Sequence, residues 1–106
     1  MDNKKIVELA LSKGFKSIDK LIIVNDNYIY LWMCELQGWL MGKDIYVLIS
    51  LDKTLELKFH YTVDEYNEDN QEYKQIWSKW LYRTYKEVLY ESLLEGLNLI
   101  NDQQNI

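Results

Sequence analysis

Proline is absent from this 106-residue chain, and glycine, cysteine and histidine are scarce, at four, one and one residues. A single cysteine excludes an internal disulfide and is typical of a reducing compartment. One cysteine and one histidine cannot form a zinc site within one chain, because such sites use clusters of these ligands. The four glycines are scattered, so they do not form the glycine-rich turn of a phosphate-binding loop.

Long hydrophobic runs are also missing, since no apolar stretch approaches the ~20 residues that span a bilayer. The opening residues 1–5 lead into an amphipathic helix rather than into the apolar core of a secretion signal. We therefore expect a cytoplasmic protein with no membrane association.

Positive charge is in deficit, because 12 Lys and Arg face 17 Asp and Glu, for a net charge of −5. Direct nucleic-acid binding draws much of its affinity from neutralised phosphates, so this balance argues against it. It also argues against an anionic membrane surface. A basic protein partner stays open, since the charge would steer it.

Apolar and aromatic residues are abundant, at 48% and 14% of the chain. This composition is globular, and the length fits one domain. We assign residues 1–100 to a single domain and residues 101–106 to a frayed polar tail.

Helical patterns open and close the chain. The first helix is predicted over 3–13, capped by Asn3 and stopped by Gly14. The last runs over 84–100, where Thr84 and Glu87 form a capping box. Its apolar face includes Gly96, which indicates close packing against a neighbouring element.

Strand patterns fill the middle. Two apolar runs, 20–24 and 28–32, predict a hairpin, and 33–42 predict a short central helix. Segments 45–51, 54–63 and 73–82 predict a three-stranded antiparallel meander. The expected fold is α+β, a hairpin plus meander sheet with the N-terminal, short central and long C-terminal helices mainly on one face.

Three segments carry a family resemblance: Lys13-Gly14-Phe15, Leu36-Gln37-Gly38-Trp39-Leu40, and the closing helix with Tyr85-Lys86-Glu87-Val88-Leu89 and Gly96-Leu97-Asn98-Leu99-Ile100. With them the chain resembles a group of small, uncharacterised proteins encoded by phages and mobile elements of gut bacteria. It departs from them where Gly38 and Met41-Gly42 replace basic residues. No activity comes with the family, so the resemblance implies fold and origin.

Candidate catalytic groups are few. Cys34 is expected to be a buried structural thiol, and His60 to be solvent-exposed on the polar face of its strand. No nucleophile, base and orienting group form a recognisable set. We therefore expect a non-enzymatic protein with no catalytic, cofactor-binding or metal site.

Surface aromaticity is the remaining functional signal. The helix-free face of the sheet would carry a partner-binding set: Tyr46, Leu48, Tyr73, Trp77 and Leu81. The alternative is that Trp77 and Trp80 are both core, if helices cover both faces. The leading hypothesis is an accessory protein that binds another protein, with a homodimer through this face or the edge of the last strand as a further possibility.

Acidic residues cluster between the last two strand patterns, in a segment expected to be a solvated loop. They support a second hypothesis, an acidic mimic of nucleic acid that inhibits a host-defence nuclease, carried by Asp64, Glu65, Glu68, Asp69 and Glu72.

Overall fold

The computed structural model describes residues 2–16, 26–52 and 58–101. Within them the fold is α+β, as predicted, with three helices and a three-stranded antiparallel sheet in the order β1-β2-β3. The elements are α1 Asn3–Ser12, α2 Asp26–Met41, β1 Ile45–Asp52, β2 Lys58–Asn67, β3 Glu72–Trp77 and α3 Tyr85–Leu97. None of the helices in these ranges is long and apolar enough to cross a membrane.

Helix α1 begins and ends close to the predicted positions. Its N-cap is Asp2 rather than Asn3, and the Asp2 carboxylate accepts from the Lys5 amide at 3.0 Å. Gly14 has φ 103°, and the amides of Gly14 and Phe15 donate back to the last turn of the helix. This left-handed stop directs Phe15 into the core.

The second arm of the predicted hairpin, 28–32, is wrong, because these residues belong to helix α2. The first arm, 20–24, lies outside the described residues. The helix is also longer than the predicted segment 33–42. Its buried residues recur at three- and four-residue steps, so burial against the core selects a helix over a strand: Ile29, Trp32, Met33, Leu36 and Leu40.

Strands β1 and β2 form the predicted antiparallel pair, with Val47 opposite Val63. The second strand extends further than expected, to Asn67 instead of Val63. Its predicted beginning at residues 54–57 lies outside the described residues.

The acidic segment 64–72 is a solvated turn only at residues 68–71 and is otherwise part of two strands. Asp64 and Glu65 belong to β2, Glu72 belongs to β3, and a four-residue turn, 68–71, joins the two strands. Gln71 has φ 57° in this turn. Hydrogen bonding across the turn extends the hairpin through residues that composition alone assigns to solvent.

Strand β3 is shorter than the predicted 73–82 and ends at Trp77. Tyr82 still pairs with Phe59 through two backbone hydrogen bonds of 2.7 and 2.8 Å. Ser78 pairs with Tyr61, so the pairing shifts by two residues between these bonds. Residues 79–81 therefore lie opposite the single residue His60 and form a bulged segment that interrupts the strand.

Helix α3 supports the sheet and contacts α1 and α2 as well. Thr84 caps it, accepting from the Glu87 amide at 3.1 Å. Gly96 is buried, and a Cβ added there would lie 3.2 Å from Leu40 Cδ1 and 3.5 Å from the Cγ2 atoms of Ile45 and Val47. The predicted close approach is therefore present, and the helices cover one face of the sheet.

Candidate functional site

The two faces of the sheet differ sharply. Residues of one face are buried beneath the helices, including Val47, Tyr61 and Val63. Strand residues alternate between faces, so their sequence neighbours point the other way. We call this second side, which no described helix covers, the open face; it carries Tyr46, Leu48, His60, Thr62, Asp64, Tyr73, Gln75 and Trp77.

Four of the five predicted partner-binding residues lie on the open face. Leu48 and Trp77 flank Thr62 from opposite strands, while Tyr46 and Tyr73 lie nearer the β2–β3 turn. Trp77 is 61% exposed and Tyr73 is 60% exposed, whereas Tyr46 is half-buried. The fifth residue, Leu81, lies outside the strands in the bulged segment and is exposed.

The two tryptophans are exposed, so the alternative that both are core residues is wrong. Trp80, in the bulged segment, is 70% exposed, more than Trp77. Both line a shallow depression at the end of β3, together with His60, Lys79 and Leu81. Strand alternation predicts Trp80 on the side of the sheet opposite Trp77, but the bulge brings both side chains to the same depression.

Side chains on the open face hold one another in place. The Trp77 indole stacks on His60 with ring centroids 6.2 Å apart and planes 21° apart. The indole Nε1 also donates to Gln75 Oε1 at 3.1 Å. Sequence reasoning missed Gln75, and the only available signal was its position two residues before Trp77 on the same side of the strand. These contacts reduce the freedom that the tryptophan would lose on binding.

A buried carboxylate lies at the other end of the face. Asp64 is 5% exposed, and its Oδ2 accepts from the Tyr73 hydroxyl at 2.6 Å. Its Oδ1 has no hydrogen-bond partner. The hydrogen bond to Asp64, with burial second, raises the pKa of Tyr73. The carboxylate therefore fixes Tyr73 in place on the open face.

Tyr46 is anchored in a similar way. Its hydroxyl donates to Asp44 Oδ1 at 3.3 Å. Burial, followed by the negative charge of Asp44, raises the pKa of Tyr46. Both tyrosines thus remain neutral at ordinary pH, with their rings held beside the strands.

The predicted acidic set does not form one surface. Asp64 is buried on the open face, whereas Glu68, Asp69 and Glu72 are exposed at the β2–β3 turn. Glu65 is half-buried and lies opposite Lys74 in β3. Among the described residues, no group of three or more His, Cys, Asp or Glu side chains is arranged to hold a metal ion.

Cys34 is exposed on α2, which corrects the expectation of a buried thiol. A groove of about 650 Å³ lies away from the sheet, between the start of α1 and the end of α3. Its charged lining includes Lys4 and Glu8, an exposed pair 4.0 Å apart. Such a pair contributes little on its own, and the groove brings together no reactive set.

Comparisons with known proteins found no matching protein-family model, curated protein or solved structure.

Proposed function

We propose that this chain is a non-enzymatic accessory protein of a phage or mobile element, and that its open face binds another protein in the cytoplasm. The observation that carries the proposal is the set of large apolar side chains left in solvent on one side of the sheet: Leu48, Tyr73, Trp77, Trp80 and Leu81. The phage origin rests on the resemblance of the helices and the Leu36–Leu40 segment.

The composition of this surface favours a protein partner. Interface centres are enriched in tryptophan and tyrosine, and a few such residues supply most of the binding energy. Trp77 is the best candidate for such an anchor because His60 and Gln75 already orient its ring. An ordered aromatic ring loses less conformational entropy when a partner covers it.

The test is affinity capture from bacterial lysate with the tagged full chain and the Trp77→Ala variant. The proposal predicts a protein that the wild type retains and the variant releases, with a binding loss of about 2 kcal/mol or more, as for an anchor residue. Leu31→Ala is the matched control, since Leu31 is also 61% exposed but lies on α2.

Retention unaffected by Trp77→Ala, or no retained protein above background with a folded chain, would count against the open face. Equal losses with Trp77→Ala and Leu31→Ala would indicate nonspecific hydrophobic capture instead.

The acidic mimic of nucleic acid is the second candidate, and the exposed carboxylates at the β2–β3 turn favour it. Asp64 contributes little to it because its carboxylate is buried and bonded to Tyr73. Glu68→Lys with Asp69→Lys tests this candidate. Under this hypothesis the double variant abolishes capture and rising salt weakens it steeply, whereas an aromatic contact withstands both.

A further inference from the structure

The outer edge of β3 presents unpaired backbone groups. The Ser78 amide donates to the Tyr61 carbonyl at 2.9 Å, so Ser78 belongs to a hydrogen-bonded pair with β2. Such pairs alternate along an antiparallel ladder. Counting back from Ser78, the amide and carbonyl groups of Tyr73, Gln75 and Trp77 point away from β2.

The opposite edge of the sheet, formed by β1, receives a hydrogen bond from a helix side chain. The Tyr66 amide donates to the Asp44 carbonyl at 3.0 Å, and the same alternation directs the Val47 groups outward from β1. Gln37 of α2 reaches this edge, where its Nε2 donates to the Val47 carbonyl at 2.8 Å. A helix side chain therefore occupies the β1 edge.

Among the described elements β3 packs chiefly against β2, and five of its six residues are exposed. The chain has no proline to block strand addition. An exposed edge strand without such protection is a template for pairing with another strand.

We propose that β3 pairs with β3 of a second copy of this chain, antiparallel, with Gln75 on the two-fold axis. In this register the two Gln75 residues form a hydrogen-bonded pair, and Tyr73 of each copy lies opposite Trp77 of the other. All the outward-pointing groups of both strands are then used. The Tyr73–Trp77 pairs lie on the open face, where cross-strand aromatic pairs stabilise a sheet.

Neighbouring registers are poorer. Centring the pair on Lys74 places two lysines opposite each other, and the backbone groups of Lys74 already point toward β2. Centring it on Tyr73 places Trp77 opposite the turn of the other copy. The register through Gln75 both pairs the outward backbone groups and places the aromatic side chains of the two copies opposite each other.

Charge complementarity argues for a second copy as the occupant. The turn at one end of β3 carries Glu68 and Asp69, with Glu72 beside it as the first residue of the strand, and the bulged segment at the other end carries Lys79. Antiparallel pairing brings the acidic turn of each copy toward Lys79 of the other. The two-fold axis repeats this contact, as an isologous interface requires. The edge contact uses backbone groups, so it does not depend on the proposed binding by the open face.

The experiment is sedimentation equilibrium on the purified full chain, from low micromolar to near-millimolar concentration. The wild type is expected to rise from the monomer mass of 12.8 kDa to twice that value. Gln75→Lys and Gln75→Glu each place like charges on the axis and are expected to stay monomeric. Mixing these two variants is expected to restore the doubled mass, because opposite charges then meet.

Gln75→Ala keeps the backbone groups and is expected to dimerise like the wild type. Gln75→Pro removes one outward amide, and if the variant folds it is expected to be monomeric. A wild-type mass of 12.8 kDa throughout would overturn the proposal. A doubled mass for Gln75→Lys or Gln75→Glu, each measured without the other, would overturn it as well. Neither result bears on capture of a different protein through Trp77.

Discussion

At the scale of single residues, the open face contains a buried carboxylate as well as solvated side chains. Asp64 is buried with one oxygen bonded to Tyr73 and the other without a partner. Burying a carboxylate costs free energy unless hydrogen bonds compensate, so the Tyr73 hydroxyl matters to folding as well as to the surface.

Tyr73→Phe is therefore expected to destabilise the domain by about 1–3 kcal/mol, since it leaves the buried Asp64 carboxylate without its donor. Urea unfolding measures the change. Tyr66→Phe is the control, because Tyr66 is exposed and lies directly opposite Tyr73, and its effect should stay within about 0.5 kcal/mol. Equal effects of the two substitutions would show that the hydrogen bond to Asp64 contributes nothing.

Tyr61 gives the domain an alkaline limit. Burial, followed by the charge of Glu95, raises the pKa of Tyr61 from 10.0 to about 12. The unfolded chain therefore loses this proton at a lower pH than the folded chain does. The stabilising contribution is complete below pH 10 and is lost as the pH rises through about 12.

The free energy of unfolding, measured by urea at stepped pH, is expected to fall across that window and to fall less in Tyr61→Phe. Tyr82 and Tyr85 have pKa values raised in the same direction, chiefly by burial, so some decline should remain in the variant. Identical profiles for wild type and Tyr61→Phe would contradict this assignment.

At the scale of elements, helix α3 is the best predicted part and helix α2 the worst. The spacing of Val88, Leu89, Leu93 and Leu97 matches the period of an α-helix and not the alternation of a strand, and all four residues are buried. In α2 the run Tyr28–Trp32 contains β-branched and aromatic residues, so it fits a strand equally well over so short a window. Exposure of Leu31 between buried Ile29 and Trp32 reveals the helical period only in the structure.

Pairing also limited what the sequence could predict about the candidate site. The side of the sheet that carries Tyr46, Leu48, Tyr73 and Trp77 follows from alternation along the strands. The bulged segment that exposes Trp80 arises from a two-residue shift in pairing between Ser78 and Tyr82, which no local pattern encodes. The acidic composition of 64–72 predicts a solvated loop, whereas pairing with both neighbouring strands places Asp64 inside β2.

Two glycines test the packing of the helices against the sheet. Gly96→Leu is expected to cost about 1–3 kcal/mol, because the added side chain overpacks the contact with Leu40, Ile45 and Val47. Gly38→Leu is the matched control: a Cβ at this exposed α2 position meets nothing within 4 Å. It is expected to stabilise α2 by up to about 1 kcal/mol. Thermal melts with the same sign for both variants would contradict the close approach at Gly96.

At the scale of the whole molecule, the described helices pack on one face of the sheet, and none of them covers the open face. At the β1 edge Gln37 donates to the Val47 carbonyl, while the aromatic side chains Tyr73 and Trp77 of β3 are exposed beside its outward backbone groups. The proposed face contact and the proposed edge contact therefore meet at the same strand.

The central claim is that β3 and the open face form the binding surface, and hydrogen exchange resolved by NMR tests it most directly. The chain is measured alone at low concentration and then bound, either to a retained partner or to a second copy. In the free chain, the amides of Tyr73, Gln75 and Trp77 are expected to exchange faster than those of Lys74 and Ile76, which point toward β2. Binding is expected to slow exchange across β3. Slower exchange confined to α1 or α2, with β3 unchanged, would contradict the claim that this side of the sheet is the binding surface.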